Sequence, residues 1–212
     1  MLQLQGFTFN GFQENTYVIF NEKGQCWVVD PGMYDDAETE QLRKFIEHHG
    51  LVPQAIINTH THLDHIFGVQ ALKDAYGIPF LMHERDLPVL SNAMASAMMF
   101  GIPLEAAPQA DGYISEKEPL KLGEDSLEVR LAPGHSPGSI VFYYPAGKWV
   151  ISGDVLFYQS IGRSDLPGGH HQTLLDSIHR EMLTLPGDTQ VFPGHGPATS
   201  IAFEKEHNPF LQ

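Results

Sequence analysis

The 212-residue chain is 42% hydrophobic and carries 26 acidic against 12 basic residues, a formal net charge of -14 with histidine neutral. That length and apolar fraction fit a single globular domain over residues 1–212. The acidic balance excludes a nucleic-acid groove as the main business, because phosphate contacts need lysine and arginine, while it suits a soluble protein whose bound cations offset carboxylate charge.

Met1-Leu2-Gln3-Leu4-Gln5 has neither a basic start nor a long apolar core, so no signal peptide is expected. No later run approaches the ~20 apolar residues of a membrane span. The default compartment is the cytoplasm, without a membrane partner. Residues 4–9, 16–20 and 26–29 read as successive strands, with Asn21-Glu22-Lys23-Gly24 as a hairpin turn. Cys26 is the single cysteine, so no disulfide forms within the chain, and its strand context marks it as a small core residue. Asp30-Pro31-Gly32 stops the third strand. Residues 38–49 have helical spacing, with Leu42, Phe45 and Ile46 on one face and Gly50 closing it.

A strand over 54–58 delivers the chain to Thr59-His60-Thr61-His62-Leu63-Asp64-His65. Imidazole and carboxylate are the ligands that zinc or iron prefers. His60 and His62 are two apart, so both can point the same way from an extended turn. Asp64 and His65 leave in another direction, so one loop can serve two neighbouring metals. Residues 64–76 read as a helix and 79–82 as a strand. Residues 86–110 hold Met94, Met98, Met99 and Phe100 among alanines. They read as helix packed on the core, or as an adaptable flap beside a substrate cleft. Strands follow at 127–131, 139–144 and 149–152, then a helix at 173–185 and a strand at 190–192. Two strand-rich halves flanked by helices give a four-layer α/β sandwich, with no repeat and no linker.

Three further residues stand in glycine- and proline-rich turns: His135 in Pro133-Gly134-His135-Ser136, Asp154 in Ser152-Gly153-Asp154, and His195 in Pro193-Gly194-His195-Gly196. Glycine lets the backbone turn tightly and brings a side chain close to a ligand.

The ordered set His60, His62, Asp64, His65, His135, Asp154 and His195 resembles the metallo-β-lactamase superfamily, over essentially the whole chain. Asp30 matches that family's early structural aspartate. The resemblance implies an αββα sandwich with metals at one edge of the two sheets. It implies one metal on His60, His62 and His135, a second on Asp64, His65 and His195, and Asp154 bridging them. Finer features resemble the glyoxalase II-like branch, the hydroxyacylglutathione hydrolases and their short bacterial relatives. They are Gln13-Glu14-Asn15-Thr16-Tyr17, Gly162-Arg163-Ser164-Asp165-Leu166-Pro167-Gly168-Gly169, and Pro193–Pro197 leading to Asn208-Pro209-Phe210-Leu211. His65 replaces the arginine of the commonest zinc β-lactamases, and His62 the glutamate of the flavodiiron branch.

This branch implies hydrolysis of a small-molecule thioester such as S-D-lactoylglutathione by a hydroxide held between two divalent ions. Zinc is the first expectation, with iron or manganese as alternatives. Asp154 bridges, Asp64 orients the water and accepts its proton, and Arg163 pairs with a substrate carboxylate. A departing thiolate needs no general acid, since a free thiol has a pKa of ~8.5. Asp165 and Pro197 stand where the family has tyrosines, and the C-terminal helical segment that supplies basic residues in full-length glyoxalase II is not among these residues. A persulfide dioxygenase with one iron on His60, His135 and Asp154 is the alternative, though the loop after Arg163 resembles the hydrolases more. Hydrolysis of another ester, a lactone or a phosphodiester is the third reading. His48, His49 and His179 fall on exposed helix faces, His83 at the core edge, and His170 and His171 in a loop, all outside the seven-ligand set.

Overall fold

The computed structural model describes residues 1–212 as two compact units, Met1–Ile114 and Ser115–Gln212. The first is built on a six-stranded sheet in sequence order: β1 (Gln3–Phe9), β2 (Glu14–Phe20), β3 (Gln25–Val29), β4 (Val52–Ile57), β5 (Phe80–His83) and β6 (Gly112–Ile114). β1 to β3 run antiparallel, and β3 to β6 run parallel. Parallel neighbours need crossovers, and α1 (Asp36–His48) and α2 (Val69–Tyr76) supply two of them. Asp35 caps α1 by accepting from the Glu38 amide. Leu42 and Ile46 of α1 and Val69 and Leu72 of α2 are buried in one core with Val18, Val28, Ile56 and Phe80. β2 is buried on both faces, as a sheet covered on two sides requires. Cys26 lies fully buried in β3, where burial pushes its thiol up to about 12, so it stays protonated at neutral pH.

The helix expected over 64–76 is broken. A 3-10 turn at Leu63–His65 comes first, and α2 starts only at Val69. Asn58 Nδ2 donates to the His60 and His65 carbonyls at 3.1 and 2.8 Å, holding the turn against the end of β4. The Gly68 amide then donates to the Pro31 carbonyl at 2.8 Å, beside the thioether end of Met33. The segment expected to be helical over 86–110 is two short helices, α3 (Leu87–Ser91) and α4 (Ala93–Phe100), ended by Gly101 in the left-handed conformation. It packs on the core through Leu90, Ala93 and Ala97. The methionines face outward instead, Met98 being 84% exposed.

The second unit has a six-stranded sheet ordered β14-β13-β10-β9-β8-β7. Its strands are β7 (Leu120–Leu122), β8 (Asp125–Leu131), β9 (Ile140–Tyr144), β10 (Trp149–Gly153), β13 (Gln190–Pro193) and β14 (Thr199–Ser200). Between β10 and β13 lie the hairpin β11 (Leu156–Phe157) and β12 (Ser160–Ile161), then α5 (His171–Ser177). α5 continues as a π-helical turn over Ile178–Met182, and Leu174, Ile178, Met182 and Leu185 enter a core with Val150, Val191 and Ile201. α6 (Ile201–His207), the 156–161 hairpin and the short strands β6, β7 and β14 had no counterpart in the sequence reading. No helix is long and apolar enough to cross a membrane.

Candidate metal centre

In the first unit the chain leaves β4 through a bend at Thr59, and His62 is extended at φ -64° and ψ 158°. Both threonines face buried carboxylates. Thr59 donates its amide (2.7 Å) and its hydroxyl to Asp30. Thr61 donates its amide (2.6 Å) and its hydroxyl (2.7 Å) to Asp86 Oδ2. The His60 and His62 rings lie 4.9 Å apart, and the His60 and His65 rings 4.1 Å apart. The ligand atoms of Asp30, His60 and His65 all lie within 4.8 Å of one another. Asp64 and His65 follow on the 3-10 turn, with His65 Nε2 and Asp64 Oδ2 3.8 Å apart.

Behind His65 the packing is polar and sealed. Asp30 sits at φ +48°, a left-handed conformation that aspartate tolerates better than most residues, and Pro31-Gly32 turns the chain away. Glu14 is fully buried, with Oε2 accepting from Thr16 at 2.8 Å and Oε1 3.8 Å from His65 Nδ1. Burial raises its carboxyl well above the usual range; His65 opposes that shift and Asp30 adds to it. A Cβ on Gly32 would overlap Glu14 Oε2 and the Asp64 carbonyl, so glycine is required there.

In the second unit, three strand-end turns bring His135, Asp154 and His195 together. Gly134 (φ +131°) lies against Leu174 of α5 with no room for a Cβ, and its carbonyl accepts from the His170 amide at 2.8 Å. The Gly194 amide donates to the Gly153 carbonyl at 2.9 Å, tying the ends of β13 and β10. As a result one oxygen, Asp154 Oδ2, lies 3.5 Å from His135 Nε2 and 3.6 Å from His195 Nε2.

These contacts fix which imidazole nitrogens face outward. His135 Nδ1 lies 2.7 Å from the Arg163 carbonyl, which only accepts, so Nδ1 carries the proton and Nε2 the lone pair. His65 Nδ1 lies 3.1 Å from Asp30 Oδ2, and His60 Nδ1 lies 3.1 Å from the Thr59 hydroxyl. Metal-ligating histidines characteristically have the second ring nitrogen held in this way. The spacings of 3.5, 3.6 and 3.8 Å exceed a usual N–H···O bond, with a range of about 2.7–3.2 Å. They approach the separation, about 3.4 Å, of two donors each ~2.05 Å from a tetrahedral ion. The donor set therefore fits divalent metal ions.

The second unit also shows how tightly His135 is backed. Gly162 is buried between the Asp154 backbone and the His135 ring. A Cβ there would overlap the Asp154 carbonyl and stand 3.2 Å from His135 Nδ1. Gly162→Ala should therefore displace both ligands, at a cost of about 1–3 kcal/mol of stability. The expected result is a loss of at least half the bound metal, read by elemental analysis of purified protein. Full metal content would show that the loop yields without moving His135. The Arg163 guanidinium, expected to meet substrate, instead grips Asp165 with Nε–Oδ1 and Nη2–Oδ2 both at 2.8 Å.

Asp86 and Asn58 are site residues that motif reading passed over, and Gly162 was read only as part of a family-like motif. Asn58 adjoins the histidine run, so its position was a usable signal. Asp86 lies 25 residues from Thr61, and no spacing rule links the two.

Residues 9–195 match the family described as the metallo-beta-lactamase superfamily. The chain belongs to that superfamily. It is 42% identical over 201 residues to "Probable metallo-hydrolase YqgX" of Bacillus subtilis, covering 94% of this chain and 92% of that protein. It is 36% identical to "Hydroxyacylglutathione hydrolase GloC" of Haemophilus influenzae, covering 94% and 93%. Among solved structures, the BLEG-1 B3 metallo-beta-lactamase superposes with a TM-score of 0.90 at 40% identity, covering 99% of this chain and all of that one. TTHA1623, solved in a di-iron-bound form, gives 0.87 at 38% identity, covering 98% and 100%. The fold is thus the α/β sandwich of the metallo-β-lactamase superfamily, and the protein is a metallo-hydrolase of that superfamily, which binds divalent metals.

Proposed function

We propose that the protein hydrolyses a small-molecule thioester of the S-D-lactoylglutathione class. One ion is assigned to His60, His62 and His135, a second to Asp64, His65 and His195, and Asp154 is shared. The observation that carries this reading is Asp154 Oδ2, set 3.5 and 3.6 Å from two imidazole nitrogens assigned to different ions. A ligand shared between metals needs that placement, whereas a single iron on two histidines and one carboxylate gives His195 no role. The likeness to the GloC hydrolase supports the thioester class. Two bound divalent ions would supply an activated water, its pKa lowered from ~15.7 toward ~7, and would polarise the carbonyl under attack. Zinc is the ion proposed first, and the di-iron neighbour makes iron the next to test.

The chain's own groups do the rest. Asp64, only partly exposed, orients the water and takes its proton. The Nδ1 contacts of His60, His65 and His135 hold their rings so that the unprotonated Nε2 faces the site. The leaving thiolate departs without an acid, its conjugate thiol having a pKa of ~8.5. Arg163 meets a substrate carboxylate by exchanging it for Asp165. The hydrogen-bonded Arg163 guanidinium holds the Asp165 carboxyl down to about 2, so Asp165 stays ionised and able to pair throughout pH 5 to 9. Asp165→Asn should therefore lower KM for lactoylglutathione several-fold at low salt, equally across pH 5 to 9, with kcat unchanged. An unchanged KM removes Arg163 from the substrate site.

Purified protein analysed for metal and assayed for lactoylglutathione hydrolysis and for oxygen uptake with glutathione persulfide tests the whole reading. Two ions per chain with hydrolysis are expected. One iron with oxygen uptake and no hydrolysis would overturn it. The likeness to BLEG-1 makes β-lactam opening the control substrate.

A further inference from the structure

The helix α6, which leads to Asn208-Pro209-Phe210-Leu211, carries a fully buried carboxylate. Glu204 on α6 has no exposed surface, and Asn208 just beyond the helix has none either. Burying a carboxylate is costly unless donors meet it, and three do. Thr199 Oγ1 donates to Glu204 Oε1 at 2.6 Å. The Gln159 amide and Asn208 Nδ2 donate to Oε2 at 3.0 and 2.8 Å. Asn208 Nδ2 also donates to the Ser160 carbonyl at 3.0 Å. Gln159 and Ser160 belong to the turn of the 156–161 hairpin, and Gln159 sits at φ +52°, a conformation that needs outside support. Tyr158 in the same turn stacks on Phe203 of α6, with ring centroids 5.1 Å apart.

The hairpin so pinned carries the metal half-site on both its ends. Asp154 lies two residues before it, and the closing bond runs from the Gly162 amide to the Val155 carbonyl at 3.5 Å. Arg163, the next residue, offers the carbonyl that takes His135 Nδ1. From the other side of the hairpin, Phe157 sets its ring edge-on to His195, with centroids 6.2 Å apart. All three ligands of this unit thus lean on one short hairpin whose turn is gripped by α6.

We propose that Glu204, with Asn208, is a positioning residue for the metal-binding histidines, acting through the 156–161 hairpin. Its effect on metal affinity rests on the functional reading above, whereas its effect on the His135 ring does not. Two variants separate this role from bulk stabilisation. Glu204→Gln keeps an acceptor for Gln159 and Asn208 and a donor for the Thr199 hydroxyl. Glu204→Leu keeps neither. Leu185→Ala, a buried position of the same core that belongs neither to the hairpin nor to α6, is a control that lowers the melting temperature while leaving the Glu204 and Asn208 groups in place.

Long-range proton–nitrogen spectra of the metal-free protein read the His135 tautomer directly. The Nδ1–H form is expected in wild type, Glu204→Gln and Leu185→Ala, and a mixture of tautomers in Glu204→Leu. Titration with zinc alone against a competing chelator should show at least tenfold weaker binding in Glu204→Leu and less than threefold change in the other two. Should Glu204→Leu fail to fold, Asn208→Ala removes the bond to Ser160 directly and carries the same expectation. A wild-type tautomer and wild-type zinc affinity in Glu204→Leu overturn the proposal. So does an equal change in Leu185→Ala, which would reduce Glu204 to a packing residue. Absence of zinc binding by the wild type would sink the metal reading instead, and the tautomer then decides the role of Glu204 by itself.

Discussion

Asp86→Ala is expected to lower kcat/KM about a hundredfold and the melting temperature by about 10 °C. Asp86 is fully buried and its Oδ2 receives both the amide and the hydroxyl of Thr61, at 2.6 and 2.7 Å. The truncation leaves the buried Thr61 amide without an acceptor, at about 1–3 kcal/mol, and leaves the Thr61 hydroxyl only the longer bond to the Asp86 backbone carbonyl at 3.3 Å. The catalytic loss has a separate cause. Thr61 lies between His60 and His62, so a rotation of its peptide moves both rings at once, and a misplacement of ~1 Å can cost about a hundredfold in rate. Both bonds go to one oxygen, and Asp86→Asn retains one acceptor oxygen but not its charge, so it should keep most of the stability; an activity between wild type and Asp86→Ala is expected. Calorimetry and steady-state kinetics on the three proteins check this. Wild-type kcat/KM in a folded Asp86→Ala protein would show that the loop holds its shape without the carboxylate.

What the sequence made legible follows from range. The strands β1 to β5 and β8 to β10 were readable because each has a run of apolar residues between turn residues, a local signal. The seven ligand candidates stood out because four fall in one histidine-rich run, Thr59–His65, and three in glycine- and proline-rich turns. Asp86, Glu204 and Asn208 were not, since each is a polar residue whose burial depends on a partner far along the chain. The break before α2 was hidden for the same reason. Residues 64–76 have helical spacing, but the Asn58 amide holds the 3-10 turn against β4 and Gly68 is bonded to the distant Pro31 carbonyl, so α2 starts only at Val69. The methionines of α4 were misread because apolar residues lie on both sides of that helix. The small alanines take the buried side, where close packing favours them.

Removing His65 or Asp64 should abolish hydrolysis in both cases, by about a thousandfold, while affecting the fold very differently. His65 is completely buried, its Nδ1 3.1 Å from Asp30 and 3.8 Å from Glu14. His65→Ala leaves those acidic groups facing a cavity without their imidazole, and breaking a buried polar pair in this way costs about 3–5 kcal/mol. Asp64 is 16% exposed at its side chain, so Asp64→Ala exchanges a partly solvated group and should leave the melting temperature within a few degrees. Equal loss of hydrolysis from two substitutions of such unequal structural cost points to what they share, the second ion. Elemental analysis should find one ion per chain in each variant, the one assigned to His60, His62 and His135. A one-iron dioxygenase predicts the opposite for Asp64→Ala. Its iron and its oxygen uptake would persist, because neither depends on Asp64. Retained activity in Asp64→Ala would therefore transfer the chemistry to a single ion, and lost activity with one ion remaining would establish that both are needed.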